Sequence, residues 1–385
     1  LRAKFLRGEA TEREVIEGTL RYYTGPGICP FLGTANTMGC LCEGLGMMLP
    51  YGALWPSSTS QRRFSARRTG AAVVDLVRRN IKPSDIMTQA ALDNAVALLA
   101  SIGGSLNALI HLPALADELG LECTWAKVAQ TTSHTPVVCN VVPNGDISCI
   151  NLYKAGGIPA VLKTIEGSLD TSVMTVAGKT MGEELAGDIP VDRSVIRTQD
   201  DPASVANGIQ VLYGNLAPEG ALVKTSAVPA EQHVWSGPAM VFNSEDEAFT
   251  AYNENRIAAG TGVVVRYEGP KGGPGMKELH RVTEIMKGIP NSAVITDGRF
   301  SGASGGLSVG YLCPEALDGA PIALVEDGDI IHIDLSRNLI ELEVSEEDLE
   351  RRRATWEPMI HENGGRLLAR YAKQVGSAKT GAVLS

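Results

Sequence analysis

Apolar residues in the first half of the chain recur at helical spacing. Thr11 precedes an acidic turn and predicts the start of a helix. Apolar positions repeat every three to four residues over 73–81 and over 92–102, and Thr88 stands where it can cap the second of these helices. A third helix is predicted at about 107–119, ending at Gly120. We expect core helices with short connections, as in the layer of an α/β protein.

The second half has a different pattern. After a polar, turn-rich stretch at 187–205, short apolar runs alternate with Gly/Pro turns at 221–228, 262–269, 292–298, 323–335 and 339–344. The last two runs predict a hairpin around 336–338, and Ser345 with Asp348 predicts a capping box at the start of a final helix. The predicted fold class is α/β, with a helical α/β domain over residues 1–195 and a β-rich, barrel-like α/β domain over 196–385.

Composition and charge narrow the class of protein. The 385 residues are 44% hydrophobic and 20% charged, which is typical of a folded globular chain. The net charge of −10 argues against binding to nucleic acid or to an anionic membrane. With no long apolar window and no signal-peptide pattern, we expect a cytoplasmic protein whose partner is a small molecule. The seven cysteines form no CxxC pair, so most are expected to be buried.

Two glycine-rich segments are candidates for binding chemistry. Cys29 follows Gly25-Pro26-Gly27 and precedes a helix start, where a thiolate able to bind iron is favoured; the alternative is a tight turn with a buried thiol. Glu268 and Glu278 flank the loop 269–275, which fits no Walker A spacing. Both glutamates are hard oxygen ligands suited to Mg²⁺, the alternative being that each is solvated.

The third candidate is Ser301, in the glycine-rich turn that follows the predicted strand 293–297. Loops at the carboxyl ends of strands are where α/β proteins bind ligands. The GRFSG context is not a nucleophile elbow, and the six histidines form no HExxH motif, so neither a serine hydrolase nor a zinc enzyme is favoured. Each histidine is read as a surface or core residue.

Taken together and in this order, these segments resemble the dihydroxy-acid/6-phosphogluconate dehydratase family, which includes the sugar-acid dehydratases. The resemblance extends over nearly the whole chain. The segments that carry it are GICPFLGTANTM, YKAGGIPAVLK, GNLAPEGALVK, VVRYEGPKGGPGMKEL, VITDGRFSGASGG, GYLCPEA and the tail from DGDIIHID to LERRRATW.

The resemblance implies a two-domain hydro-lyase that converts a 2,3-dihydroxy acid to a 2-keto acid with an iron–sulfur cluster, [2Fe–2S] or [4Fe–4S], and Mg²⁺. Cys29 matches a cluster cysteine, Glu278 a Mg²⁺ ligand, and Ser301 the serine proposed as the base when deprotonated near the metal. From the local pattern we infer that Asp297 and Arg299 hold the Ser301 loop. A homodimer or homotetramer is expected.

The sequence departs from the family pattern in several places. The family's further cluster cysteines and Mg²⁺ ligands belong to an N-terminal stretch that this chain lacks, and Cys40 and Cys42 are better read as packing residues than as substitutes. The segment 124–139 and Tyr311 differ from the family at expected substrate-facing loops. We therefore expect a sugar acid as substrate. The alternatives are the dihydroxy acid of branched-chain amino-acid biosynthesis, or an inactive member that only binds small acids or oligomerises.

Overall fold

A computed structural model describes residues 5, 8–22, 27, 30–204, 208–286, 288–301, 306–359 and 365–384. The chain divides into two compact units, the first formed by 1–102 and 138–203 and the second by 103–137 and 204–385. The helices are α1 Glu12–Tyr22, α2 Thr34–Gly44, α3 Ser60–Arg78, α4 Pro83–Ile86, α5 Gln89–Ser101, α6 Ala108–Leu119, α7 Trp125–His134, α8 Cys149–Lys154, α9 Gly157–Thr164, α10 Met181–Leu185, α11 Glu245–Asn253, α12 Arg281–Met286, α13 Glu346–Thr355 and α14 Gly365–Gln374. The strands are β1 Gln210–Gly214, β2 Ala217–Val223, β3 Val234–Phe242, β4 Gly262–Val265, β5 Glu278–Leu279, β6 Ala293–Thr296, β7 Arg299–Phe300, β8 Leu307–Cys313, β9 Ile330–Asp334 and β10 Leu339–Leu342.

The first unit is helical and is built around α5. The predicted cap is present, because the Thr88 side chain accepts a hydrogen bond from the Ala91 N–H, and the predicted apolar face of α5 is buried. α2 packs against α5 at a close approach: a Cβ added at Gly44 would lie 2.9 Å from a methyl carbon of Leu98. The helix predicted after Thr11 is α1.

The helix predicted over 73–81 forms as part of α3, but the expectation that it is a core helix is wrong. Val73 is 52% exposed and Val77 73% exposed, and Ile81 lies beyond the end of the helix. Helical periodicity identifies an apolar stripe, yet it does not say whether another element covers that stripe.

In the second unit, eight strands close into a barrel in the order β1-β10-β9-β3-β4-β6-β8-β2. Neighbours from β3 through β4 and β6 to β8 are parallel, whereas β9 pairs antiparallel with both β3 and β10. Strands buried on both faces read as continuous apolar runs, and β4 and β6 are buried at every position. A helical N-terminal part followed by a barrel-like β-rich part confirms the predicted fold class.

Several local predictions in this unit are confirmed. β9 and β10 form the predicted hairpin, and the Ser345 side chain accepts a hydrogen bond from the Asp348 N–H at the start of α13. α6 ends at Gly120, whose φ of 64° is the left-handed conformation that glycine adopts at low cost. α7 packs against β1, so the segment 103–137 belongs to the same compact unit as the barrel. Among the described residues, no helix has the length and apolar character needed to cross a membrane.

Candidate active site

Two loops leave the same edge of the barrel, because β4 and β6 are parallel neighbours. Asp297, immediately after β6, is fully buried and accepts hydrogen bonds from the backbone N–H groups of Tyr267 (3.1 Å), Glu268 (3.0 Å) and Ala316 (2.9 Å). Burial raises the pKa of Asp297 to about 6, although these three bonds favour the carboxylate. Asp297 therefore joins three segments, as the local pattern predicted.

The glycine-rich loop 269–275 wraps around a protein carboxylate. The side chain of Glu315 accepts hydrogen bonds from the N–H groups of Lys271 (3.0 Å) and Gly272 (2.8 Å). A Cβ added at Gly269 would lie 2.6 Å from a carboxylate oxygen of Glu315, so glycine is needed there for the close approach. Burial raises the pKa of Glu315 to about 7. The loop thus has a structural partner within the chain.

The structure distinguishes the two glutamates that the sequence could not. Glu268 is 3% exposed; one carboxylate oxygen accepts the N–H of Glu245 at 3.0 Å and lies 3.3 Å from the ammonium of Lys277. These contacts explain Glu268 as a structural residue. Glu278 lies instead at the start of the short strand β5.

β5 and β7 form a small parallel sheet in which Glu278 pairs with Arg299 and Leu279 with Phe300. Ser301 follows β7 directly, so this pairing brings the predicted metal ligand and the predicted base to one sheet. The guanidinium of Arg299 donates through Nε to the carbonyl of Met276 at 2.5 Å. Arg299 therefore holds the segment before β5 against β7, which confirms the inference that it holds this loop.

Asn107 connects the parts of this site. Its side chain is fully buried, and Nδ2 donates to a carboxylate oxygen of Glu278 (2.7 Å) and to the carbonyl of Phe300 (3.2 Å). Its Oδ1 accepts a hydrogen bond from the hydroxyl of Tyr311. Tyr311, noted in the sequence as a departure from the family pattern, is fully buried, and burial raises the pKa of its hydroxyl.

Ser301 lines a pocket in this unit. The other lining residues are Ser105, Leu106, Lys224, Ala227, Phe300, Gly306, Ser308 and Tyr311. Lys224 is only 9% exposed, and its ammonium nitrogen has no hydrogen-bond partner among the described residues. Burial lowers the pKa of Lys224 to about 8. The pocket therefore combines hydroxyl groups with one buried amine.

Three large side chains around the site are carried by left-handed backbone. Tyr267 has a φ of 63°, Met276 of 49° and Tyr311 of 59°. Such conformations cost about 1–3 kcal/mol each for non-glycine residues and concentrate at functional sites. This strain is an indication, independent of the chemistry, that the loops around β5, β7 and β8 are shaped for function.

His111 is a site residue that sequence reasoning missed. It lies one helical turn after Asn107 and is half-buried; burial lowers its pKa, the charge of Arg299 acts in the same direction, and the charge of Glu278 opposes them. The available signal was the four-residue spacing, which places Asn107 and His111 on the same face of α6. It was too weak to separate His111 from the other histidines.

In the first unit, Cys29 lies outside the described residues, and its role as a cluster ligand stays a prediction. The carbonyl of the next residue, Pro30, accepts the N–H of Cys149 at 2.9 Å, and the predicted helix after the loop is α2. Burial raises the pKa of the Cys40 and Cys42 thiols, with the charge of Glu43 adding to it, and this disfavours the thiolates that would bind iron. Packing is the better account of both.

Both halves of the chain match one protein family. Residues 1–184 match the model for the dihydroxy-acid/6-phosphogluconate dehydratase N-terminal region, and residues 194–382 match the model for the C-terminal region. The chain belongs to this dehydratase family. The family members are hydro-lyases, which confirms the enzyme class expected from the resemblance.

Three relatives of the dehydratase family illustrate the similarity, and each is named dihydroxy-acid dehydratase. The protein from Moorella thermoacetica is 45% identical over 382 residues, and that from Acetivibrio thermocellus is 44% identical over 382 residues. The protein from Oleidesulfovibrio alaskensis is 42% identical over 384 residues. Each alignment covers 98% of this chain and 69% of the relative. These names favour the branched-chain alternative over the expected sugar-acid reading.

Dihydroxy-acid dehydratases generally use an iron–sulfur cluster and Mg²⁺. Within the part of the chain that the structure describes, no three His, Cys, Asp or Glu side chains converge as a metal site would require. Glu278 supplies a single carboxylate beside the pocket. The described residues therefore do not by themselves fit either group, and no reaction step is derived through one.

Proposed function

We propose that this chain dehydrates a 2,3-dihydroxy carboxylic acid to a 2-keto acid, and that its substrate is the dihydroxy acid of branched-chain amino-acid biosynthesis. The relatives' shared name supports the substrate class. The observation that carries the reaction is the parallel pairing of β5 with β7, which sets Glu278 beside the strand that leads into Ser301. The sugar acid expected from the sequence is the second candidate.

The reaction needs one proton acceptor and one leaving hydroxide. In the proposed sequence, the alkoxide form of Ser301 takes the proton from C2, and the C2–H electron pair forms the double bond as the C3–O bond breaks. The departing hydroxide carries away the C–O electron pair. The resulting enol becomes the 2-keto acid by proton transfer, so the net change is the loss of one water.

The chain's own residues prepare this step by position. Asn107 fixes the Glu278 carboxylate and the carbonyl of Phe300, the residue before Ser301. Arg299 fixes the other end of the same short strand through Met276. A base held from both sides loses little orientation freedom when substrate binds, which is how positioning lowers a barrier. Cys29 and Glu278 are the donors that we propose for the cluster and for Mg²⁺.

The test is formation of 2-keto acid by the anaerobically purified chain, reconstituted with iron, sulfide and Mg²⁺. The substrates are 2,3-dihydroxyisovalerate, pentonates, hexonates and 6-phosphogluconate. We expect product from 2,3-dihydroxyisovalerate in preference to the sugar acids. Ser301→Ala is expected to lose turnover without loss of stability, whereas Ser236→Ala, which changes an exposed serine on β3, is expected to behave as wild type.

Each result separates the candidates. Turnover of a pentonate or hexonate alone would restore the sugar-acid reading. Equal turnover by Ser301→Ala and wild type would remove Ser301 from the reaction. No product from any acid, with a cooperatively folded chain that binds no iron, would favour the inactive binding protein.

A further inference from the structure

The ammonium of Lys224 is a buried cation for which the described fold provides no partner. Lys224 follows β2 directly, is 9% exposed, and its Nζ forms no hydrogen bond within the described residues. Burying an ammonium without a partner is costly, because water solvates it strongly and the protein interior does not. Long basic side chains usually avoid this cost by extending to solvent. Lys224 lines the Ser301 pocket instead.

The surroundings of Lys224 within that pocket are polar but uncharged. The hydroxyl-bearing lining residues are Ser105, Ser301, Ser308 and Tyr311, and the described lining contains no carboxylate. Tyr311 is the titratable group that lies there with the lysine, and burial keeps its hydroxyl protonated by raising its pKa. Glu278, the nearby carboxylate of the site, has Asn107 as its partner. The positive charge in the pocket is thus left for a ligand.

The end of β2 carries further unmet polar groups. Ser226 Oγ and Gln210 Oε1 are buried without a hydrogen-bond partner in the described part of the chain. Gln210 belongs to the neighbouring strand β1, where it pairs with Val223, the residue before Lys224. Buried polar atoms without partners are rare in folded proteins, and a group of them calls for a bound species. One lone lysine would be weaker evidence than this group.

We propose that Lys224 binds the carboxylate of the acid substrate within the Ser301 pocket. This inference rests on the proposed function, which supplies the ligand class: every 2,3-dihydroxy acid and every 2-keto acid carries a carboxylate. An ammonium–carboxylate hydrogen bond is about twice as strong as a neutral one, and burial increases its strength. Holding the carboxylate at Lys224 places the adjacent C2 in the pocket that Ser301 lines. Lys224 is thus a substrate-binding residue, and the bond making and breaking belongs to Ser301.

The experiment measures binding of a non-reacting probe, so it does not depend on turnover. The probes are 3-methyl-2-oxobutanoate, the expected product, and 3-methyl-2-oxobutanamide, which has the same carbon skeleton without the negative charge. Dissociation constants are determined by ligand-observed NMR at pH 7 for wild type, Lys224→Met, Lys224→Arg and Lys373→Met. Lys373 is an exposed lysine on α14 and serves as the matched control.

We expect Lys224→Met to bind the oxobutanoate at least tenfold more weakly than wild type, which corresponds to about 1.4 kcal/mol. Binding of the amide is expected to be equal in the two proteins. Lys224→Arg should keep most of the affinity for the acid, because it keeps the charge, and Lys373→Met should match wild type. A thermal unfolding curve for each variant shows that it is folded.

The proposal is overturned if Lys224→Met and wild type bind the acid equally. It is also overturned if the substitution weakens the acid and the amide by the same factor, or if wild type binds neither probe. If Lys224→Met does not fold, loss of acid binding by the folded Lys224→Arg variant would equally overturn it. Charge-dependent binding by a chain without dehydratase activity would uphold the lysine and refute the proposed function. Dehydration with Lys224-independent binding would do the reverse.

Discussion

Lys224→Met is expected to increase the free energy of unfolding at neutral pH. A substrate-binding lysine buried without a partner destabilises the ligand-free fold, and methionine has a similar length without a charge to desolvate. A lysine that stabilised the fold would give the opposite result. The sign of the effect therefore distinguishes a ligand-binding role from a structural one.

The magnitude follows from the pKa of Lys224. Burial lowers this pKa from 10.5 to about 8. At about 1.36 kcal/mol for each tenfold change in proton affinity, the charged form is destabilised in the folded chain by about 3 kcal/mol. This difference is large against the 5–15 kcal/mol that is typical of a whole domain.

The pH window follows from the same two values. Below about pH 8 Lys224 is protonated in both the folded and the unfolded chain, so the full cost is present. Between about pH 8 and 10.5 the unfolded chain binds more protons than the folded chain, and the stability of wild type rises with pH relative to the variant. Above about pH 10.5 the lysine is neutral in both states, and the pH-dependent part of the difference disappears.

Urea unfolding of wild type and Lys224→Met at pH 7 and at pH 10 measures this difference, because the other titrating groups are common to both proteins. We expect the variant to be more stable by about 3 kcal/mol at pH 7, with the gain reduced at pH 10. Lys373→Met should show neither the gain nor its pH dependence. A Lys224→Met variant that is less stable than wild type at pH 7, or a difference that does not change with pH, would refute the reasoning.

Three further substitutions test the other parts of the site. Glu278→Gln keeps an oxygen for Asn107 but removes the charge, so the Mg²⁺ concentration for half-maximal turnover should rise at least tenfold; an unchanged requirement would make Glu278 structural. Cys29→Ser should lower the iron content of the reconstituted chain, with Cys42→Ser as the control, and equal iron in Cys29→Ser and wild type would remove the ligand assignment. Tyr311→Phe removes the hydrogen bond to Asn107 and should lower the free energy of unfolding by about 1 kcal/mol in urea; no change would mean that this bond contributes nothing.

The elements that could be predicted are those whose signals lie close together in sequence. Thr88 caps α5, Gly120 ends α6 and Ser345 starts α13, since each needs only a local pattern of polar and apolar residues. The exposure of α3 could not be predicted in this way, because burial depends on what lies opposite the apolar stripe. Periodicity alone gives the helix and leaves its environment open.

The site was predictable in its residue types and only partly in its geometry. Glu268 and Glu278 flank one loop and have the same chemistry, so only their contacts separate them: Glu268 accepts a backbone N–H and faces Lys277, whereas Glu278 is held by Asn107. Asn107 is 171 residues from Glu278 and 204 residues from Tyr311 along the chain. A hydrogen bond between such distant positions exists only once the barrel has closed, and no local pattern reports it.

Lys224 illustrates what a family match adds and what it leaves to physical reasoning. The segment GNLAPEGALVK was part of the resemblance, but a resemblance of segments assigns no task to the lysine at its end. The task is inferred from three facts about this residue: it is buried, its nitrogen has no partner in the described chain, and it shares a pocket with Ser301. An enzyme for an anionic substrate benefits from such a cation, since the binding energy of the carboxylate then offsets a cost already present in the free protein. The instability expected at Lys224 and the affinity expected for the acid are therefore two measurements of one interaction.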